Sequence, residues 1–600
     1  MADGKSHPNT DYNLADPAKF MHNMTRVMEQ AAAMARLYAE RKEPAELDST
    51  VRPTLERMAK TFAEISRTYA DHPDKLLQAQ YELWQGHARI WQNAWRRFLG
   101  EPVEPVIEPT RSDRRFKDPD WEKNQIFDFL KQSYLLTARW AHDVVCEAEG
   151  VDEHTRQKAR FYVEQIANAL SPTNFALTNP EVLRLTLASN GANLAEGLEN
   201  LLKDLKAGGG MLRISQTDLS AFAVGENLAL SPGKVVFRND LFELIQYAPS
   251  TPRVFERPLL IVPPWINKFY ILDLNPAKSF IAWAVAQGLT VFVISWVNPD
   301  EHLAMKTFGD YMREGVLEAL GAVEAATGQA SVNAIGYCIG GTLLTATLGY
   351  MAAKKDERIA SATLFAAQVD FEKAGDLLVF VDEEQVSGIE RQMAGKGFLE
   401  GKRMADSFNL LRSNDLIWSY VVSNYLKGKD PVPFDLLYWN SDSTRMPAAV
   451  HSFYLRECYL NNHLSQGRMI LDGVRIDLAR VKIPVYNLAA REDHIAPLAS
   501  SFRIGRFLGG ETRLVVAGSG HIAGVINPPD AAKYQYWTND KGGDTLEPWL
   551  AGASEHPGSW WPDWGDWIAA RSGKKVKART PGNGKLKALE DAPGTYVKVR

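Results

Sequence analysis

Six short apolar runs limit what the second half of this chain can become: PLLIVPP (258–264), LTVFVIS (289–295), VNAIG (332–336), ASATLFA (360–366), KIPVYNLA (482–489) and TRLVVA (512–517). Runs rich in Val, Ile and Leu and largely free of polar alternation suit strands buried on both faces. Helical stretches lie between them, and strands alternating with helices imply parallel pairing through right-handed crossovers. The fold class expected is therefore α/β. Just upstream, KVVFRN (234–239) and ELIQYA (243–248), with Asp240 near the turn, read as a hairpin.

Nothing of this kind precedes about residue 212, and residues 1–215 read as a helical N-terminal domain. Asn179-Pro180-Glu181 supplies an N-cap, a proline at the first helical position and an acid in the first turn. Leu194, Leu198, Leu201, Leu202 and Leu205 then recur at helical spacing until Gly208-Gly209-Gly210 ends the run. No Lys-Ser/Thr follows that triplet, so it reads as a cap or linker and not as a phosphate loop. With 600 residues the chain exceeds one ordinary core. A catalytic domain is expected over 216–575, with a basic C-terminal tail at 576–600 that reads as solvated.

Lys+Arg 68 against Asp+Glu 73 leaves a net charge of -5, which offers no global field for nucleic acid. Cys146, Cys338 and Cys458 cannot build a disulfide framework, and no CxxC pair suggests zinc, so neither a metal nor a bound cofactor is expected. The first twenty residues lack an apolar signal core. Ile281–Asn298 is the most membrane-like stretch, but Gln287-Gly288 divides it into a helix end, a turn and a buried strand. A reducing, cytoplasmic location is expected. The C-terminal tryptophans (Trp549, Trp560, Trp561, Trp564, Trp567) read first as packing, with an apolar surface for a partner as the alternative.

The chemistry concentrates in Ser331–Leu343, SVNAIGYCIGGTL. A buried strand runs into Gly336-Tyr337-Cys338-Ile339-Gly340 and a helix follows, which is the nucleophile-elbow pattern with cysteine in place of serine. Glycines two residues before and after the nucleophile remove side chains that would clash in a strained turn. The helix N-terminus favours thiolate, and the Ile339 backbone N–H becomes one oxyanion donor. A free thiol is only a few per cent ionised at neutral pH, so a base is needed. In this architecture an acid and then a histidine follow the nucleophile. Asp493 lies just past KIPVYNLA and His521 just past TRLVVA, with Glu492 as rival acid and His494 as rival base. The other histidines after the cysteine are His451, His463 and His556. A second oxyanion N–H should come from the loop after PLLIV, near Trp265 or Ile266, with Ile266 preferred. Pro263-Pro264 stiffens that loop. Between 372 and 480 the alternation lapses, and this aromatic-rich interval reads as a cap insertion in which Trp418 is a candidate cap aromatic.

Several separated blocks resemble a class I polyhydroxyalkanoate synthase: PPWINKFYILDLNP (263–276), SWVNPD (295–300), GYCIGGTL (336–343), NDLIWSYVVSNYLKGKDPVPFDLLYWN (414–440), REDHIAP (491–497) and GSGHIAGVINPP (518–529). The resemblance reaches DPDWEKN (118–124) and the terminal APGTYVKVR, with Trp265 standing where such enzymes often carry a smaller residue. It implies an α/β-hydrolase-type, mostly parallel sheet behind a helical domain, and polymerisation of (R)-3-hydroxyacyl-CoA into an intracellular polyester with release of CoA. It further implies Cys338 as nucleophile, His521 as base, Asp493 as third member, and a homodimer at the surface of polyester granules with possible granule-associated partners.

The thioester logic agrees. A serine would turn the CoA thioester into a stable oxoester, whereas a cysteine keeps the acyl group activated for transfer to a hydroxyl. A cysteine thioesterase or polyester depolymerase would use the same triad. A granule-coating scaffold would need none of it.

Overall fold

The computed structural model describes residues 12–39 and 44–600. Most of the polar N-terminal stretch read for a signal core thus lies outside the described residues. The chain divides into two compact units, one comprising residues up to Asp218 with Phe408–Val432, the other Leu219–Ser407 with Pro433–Arg600.

The first unit is built from helices α1 (Pro17–Ala39), α2 (Pro44–Asp71), α3 (Pro73–Phe98), α4 (Gln125–Cys146), α5 (Glu153–Ala169), α6 (Pro180–Ala188) and α7 (Ala192–Ala207). Asn179 caps α6 by accepting from the Val182 N–H, with Pro180 in the first turn, as its sequence predicts. On α3, Gly86 and Ile90 are buried, while Tyr81, Trp84, Trp91, Trp95 and Phe98 stand exposed.

Phe408–Val432 departs from the single insertion expected over 372–480, because it groups with this helical unit. The reason lies on α7. A Cβ on Gly197 would sit 1.9 Å from the Tyr425 carbonyl oxygen, so only glycine admits the close approach. Asn193 donates to the Leu426 carbonyl and the Tyr425 hydroxyl donates to Asp204 at 2.5 Å. Trp418 therefore belongs to the first unit.

The second unit centres on an 11-stranded sheet. Its strands are β1 (Gly233–Arg238), β2 (Phe242–Tyr247), β3 (Leu259–Val262), β4 (Val291–Trp296), β5 (Val332–Tyr337), β6 (Ile359–Phe365), β7 (Val485–Ala490), β8 (Thr512–Ala517), β9 (Gln535–Thr538), β10 (Ser554–Pro557) and β11 (Glu590–Asp591). Their spatial order is β10-β9-β8-β7-β6-β5-β3-β4-β2-β1-β11. All six apolar runs became strands, and these pair in parallel from β8 through β4. Antiparallel strands flank them on both sides, including the expected hairpin β1–β2. Ile281–Asn298 folds as read, a short helix (Phe280–Ala286), a turn at Gly288 and then β4. Among the described residues, no helix is long and apolar enough to cross a membrane.

The C-terminal segment corrects a second expectation. Residues 576–600 are stitched into the sheet and do not form a solvated tail. Glu590 and Asp591 pair with β1, and Lys575–Lys577 pairs with Arg253–Phe255. The fully buried Glu243 carboxylate accepts from the N–H groups of Thr595 and Tyr596, at 3.0 and 3.1 Å. The lysines made this stretch look solvated, yet Val597 and the polar backbone between them find buried partners. The Trp-rich segment before it packs inward too, with Trp560, Trp561 and Trp564 essentially unexposed.

Candidate active site

Parallel strands release their loops at one edge of the sheet, where ligands of open α/β folds bind. Here the register aligns those exits: Val262 pairs with Gly336, Tyr337 with Phe365, Leu488 with Phe365, and Ala490 with Ala517. The segments following β3, β5, β7 and β8 therefore leave the sheet side by side. They carry Ile266, Cys338, Asp493 and His521.

Cys338 sits between β5 and the helix Ile339–Lys354 with φ 54° and ψ −127°, a conformation costly for any residue bearing a Cβ. Its neighbours make the turn possible. A Cβ on Gly336 would stand 2.5 Å from the Gly341 Cα, and one on Gly340 only 2.3 Å from the Val262 carbonyl oxygen. Glycine is thus required on both flanks, and the second contact seats the elbow against the loop leaving β3. The helix is apolar around its circumference and buried for most of its length, which fixes its N-terminus under the cysteine. Ile339 is its first residue, so its N–H has no intrahelical acceptor. Cys338 as a whole is half-buried.

The acid and the histidine meet as the loop order implies. His521 Nδ1 lies 2.7 Å from Asp493 Oδ2, both side chains being buried. The other carboxylate oxygen, Oδ1, accepts from the N–H groups of Ile495 and Ala496, each at 2.8 Å. The two loops are also laced together by the Glu492 N–H, which donates to the Ser519 carbonyl at 2.9 Å. Burial alone would press the imidazole toward neutrality. The negative charges at Asp493 and Cys338, with hydrogen bonds to both, outweigh it and hold the His521 pKa above the ordinary histidine value.

The rival assignments separate cleanly. Glu492 is exposed. The Asp493 carboxylate bonds His521. His463 bonds Glu457, His556 lies on edge strand β10, and His451 is fully buried, its pKa pushed down to about 4.

Several residues around this site make contacts that the sequence did not reveal. Tyr337 stacks on the His521 ring with centroids 5.7 Å apart, and its hydroxyl donates to the His521 carbonyl. Trp560 and Trp561 donate from their indole nitrogens to the carbonyls of Gly524 and Val525, anchoring the segment beyond the histidine. From the insertion, Tyr454 is buried and Tyr459 half-buried. Burial pushes both phenols up, and the nearby charge at Cys338 adds to the effect. Each is invisible to local pattern because its partner lies far away in the chain. Trp265 packs its ring against Tyr311, Trp296 and Phe308, beneath the loop that carries it. Among the described residues, no group of three or more His, Cys, Asp or Glu is arranged to hold a metal ion.

Known proteins match most of the chain. Residues 112–284 match the family described as Poly-beta-hydroxybutyrate polymerase (PhaC) N-terminus, and residues 258–528 match the alpha/beta hydrolase fold. A poly(3-hydroxyalkanoate) polymerase of Methylorubrum extorquens is 57% identical, covering 91% of this chain and 90% of the relative. The chain belongs to the poly(3-hydroxyalkanoate) polymerase family. Two further polymerases extend the likeness: the PhaC subunit of Rhizobium meliloti is 53% identical, covering 98% of this chain and 96% of its own. That of Cupriavidus necator is 43% identical over 88% and 89%. In this polymerase, as the resemblance implies, an α/β-hydrolase-type sheet accompanies a helical N-terminal region.

Proposed function

We propose that this chain polymerises (R)-3-hydroxyacyl-CoA, with 3-hydroxybutyryl-CoA the first substrate to test, through an acyl thioester on Cys338. The observation carrying this reading is a cysteine strained at a helix N-terminus beside a histidine bonded to a buried aspartate. The Cys338 thiolate attacks the thioester carbonyl, and the oxyanion that forms is held by the N–H groups of Ile339 and Ile266. The carbon–sulfur bond to CoA then breaks, and the CoA sulfur leaves with the proton carried by His521. Neutral His521 next accepts the proton of an incoming hydroxyl as its oxygen attacks the acyl-cysteine. The products are an ester bond and a regenerated thiolate–imidazolium pair.

Asp493 spends both oxygens on other donors, one on two backbone N–H groups and one on His521, which favours the histidine as the base for the acceptor hydroxyl. The scheme needs no bound cofactor or metal, because CoA enters as part of the substrate. Exclusion of water by the residues around 433–480 favours the hydroxyl acceptor over hydrolysis. The reading includes a cytoplasmic homodimer at the polyester surface, where granule-associated proteins would also sit. The exposed aromatic face of α3 supports contact with an apolar phase.

The test is incubation with (R)-3-hydroxybutyryl-CoA, following free CoA thiol and insoluble polyester together. Both should appear with the native chain and neither with Cys338→Ala. Free hydroxy acid without polymer would make the chain a hydrolase, and granule formation unaffected by the substitution would make it a scaffold.

A further inference from the structure

The segment Pro263–Tyr270, which follows β3 and carries the Ile266 N–H, has little regular structure to satisfy its own carbonyls. Side chains from elsewhere satisfy them. The Trp296 indole donates to the Pro263 carbonyl at 2.9 Å, and the Trp439 indole to that of Lys268 at 2.7 Å. The Thr444 hydroxyl bonds the Trp265 carbonyl and also lies 2.9 Å from that of Ile266, which the Thr444 N–H reaches at 3.0 Å. Asn267 and Ser443 form an antiparallel bridge. Asp442 receives Lys268 Nζ at 2.7 Å and the Tyr270 hydroxyl at 2.9 Å, while Lys268 also reaches the Val599 carbonyl. Thr444, Asp442 and Lys268 are all at most 5% exposed, so water does not replace these bonds.

We infer that Thr444, with Asp442 beside it, is a positioning residue for the second oxyanion donor, aiming the Ile266 N–H through the peptide group it shares with the Trp265 carbonyl. That group is planar and trans, so its C=O and N–H point in opposite directions. A hydroxyl fixing the oxygen on one side fixes the direction of the N–H on the other. The strap comes from the insertion, 179 residues beyond Trp265, so the insertion and the oxyanion loop move together. This rests on the proposed thioester chemistry at Cys338.

The test compares full-length Thr444→Val, Thr444→Ser and Cys338→Ala enzymes. With Thr444→Val, kcat for CoA release should fall by roughly 10- to 100-fold with KM little changed, since a lost oxyanion donor costs about 100-fold or more. Thr444→Ser should restore most of it. Alkylation of Cys338 by iodoacetamide forms no oxyanion, so its rate should stay at the native value in Thr444→Val. Should Thr444→Val fail to fold, Asp442→Asn should show the same split at smaller size. Native kcat in Thr444→Val, failure of serine to rescue, or an equal loss of alkylation would each overturn the assignment. CoA release surviving in Cys338→Ala would instead bring down the thioester reading, whatever Thr444→Val does.

Discussion

The elbow at 336–341 and the loop at 263–270 face one another across the exits of neighbouring strands, but they are held in place by different means. The elbow shapes itself. Its two glycines, its strand and its helix all lie within about twenty consecutive residues, and from outside it takes the Phe365 carbonyl as acceptor for the Cys338 N–H and close contact with the Val262 carbonyl. The loop after β3 is shaped by others, with bonds arriving from Trp296, from Trp439–Thr444 and from Val599. A reacting atom placed by local geometry tolerates change elsewhere. A donor aimed by distant side chains inherits every disturbance of the segments that supply them.

Substitutions separate the two modes. Cys338→Ala should have the largest effect, abolishing CoA release to below about one part in a thousand, since acid–base and oxyanion groups cannot replace a covalent nucleophile. Asp493→Asn comes next: it keeps the shape but loses the charge that orients His521, and a fall of about 100- to 10,000-fold in CoA release is expected with little change in urea stability. Gly340→Ala attacks the elbow as a structure. The added methyl meets the Val262 and Pro263 carbonyl oxygens, and a loss of about 2–4 kcal/mol in urea unfolding should accompany inactivation. Glu243→Leu probes the distant support. It removes the acceptor of the Thr595 and Tyr596 N–H groups and of Arg238, costing about 1–3 kcal/mol and loosening the C-terminal segment to proteolysis, while alkylation of Cys338 persists.

The smallest effect concerns pH. His521 has a raised folded pKa, so its charged form contributes stability that is fully present below the ordinary histidine value of 6.5 and is lost as pH rises toward the folded value. The difference in urea midpoint between the native chain and His521→Gln should therefore shrink steadily from pH 6.5 upward. A difference that grew with pH would mean that the imidazole is neutral in the resting site.

This contrast also explains what could be read in advance. The six strands were legible because burial on two faces leaves continuous apolar runs, and the elbow because its requirements are local. Chain order alone pointed to the loops of Asp493 and His521, although only the folded chain shows that the carboxylate bonded to His521 is that of Asp493. The misreadings share one cause. Phe408–Val432 looked like the rest of the insertion around it, yet Gly197 on α7 had cleared a place for it. The last twenty-five residues looked solvated because basic residues recur among their turn residues, yet Glu243 and β1 were waiting for their backbone. Thr444 gave no signal, since a threonine near a turn is ordinary until its carbonyl partners are known.

The eleventh strand has a consequence for synthesis. Glu590 and Asp591 pair with β1, a strand made more than three hundred residues earlier, and Val599 closes on Lys268. While the ribosome still holds these residues, the border of the sheet lies bare and Lys268 lacks one of its anchors. A nascent chain can therefore form its sharp turn at Cys338 well before the strand that borders β1 has been made.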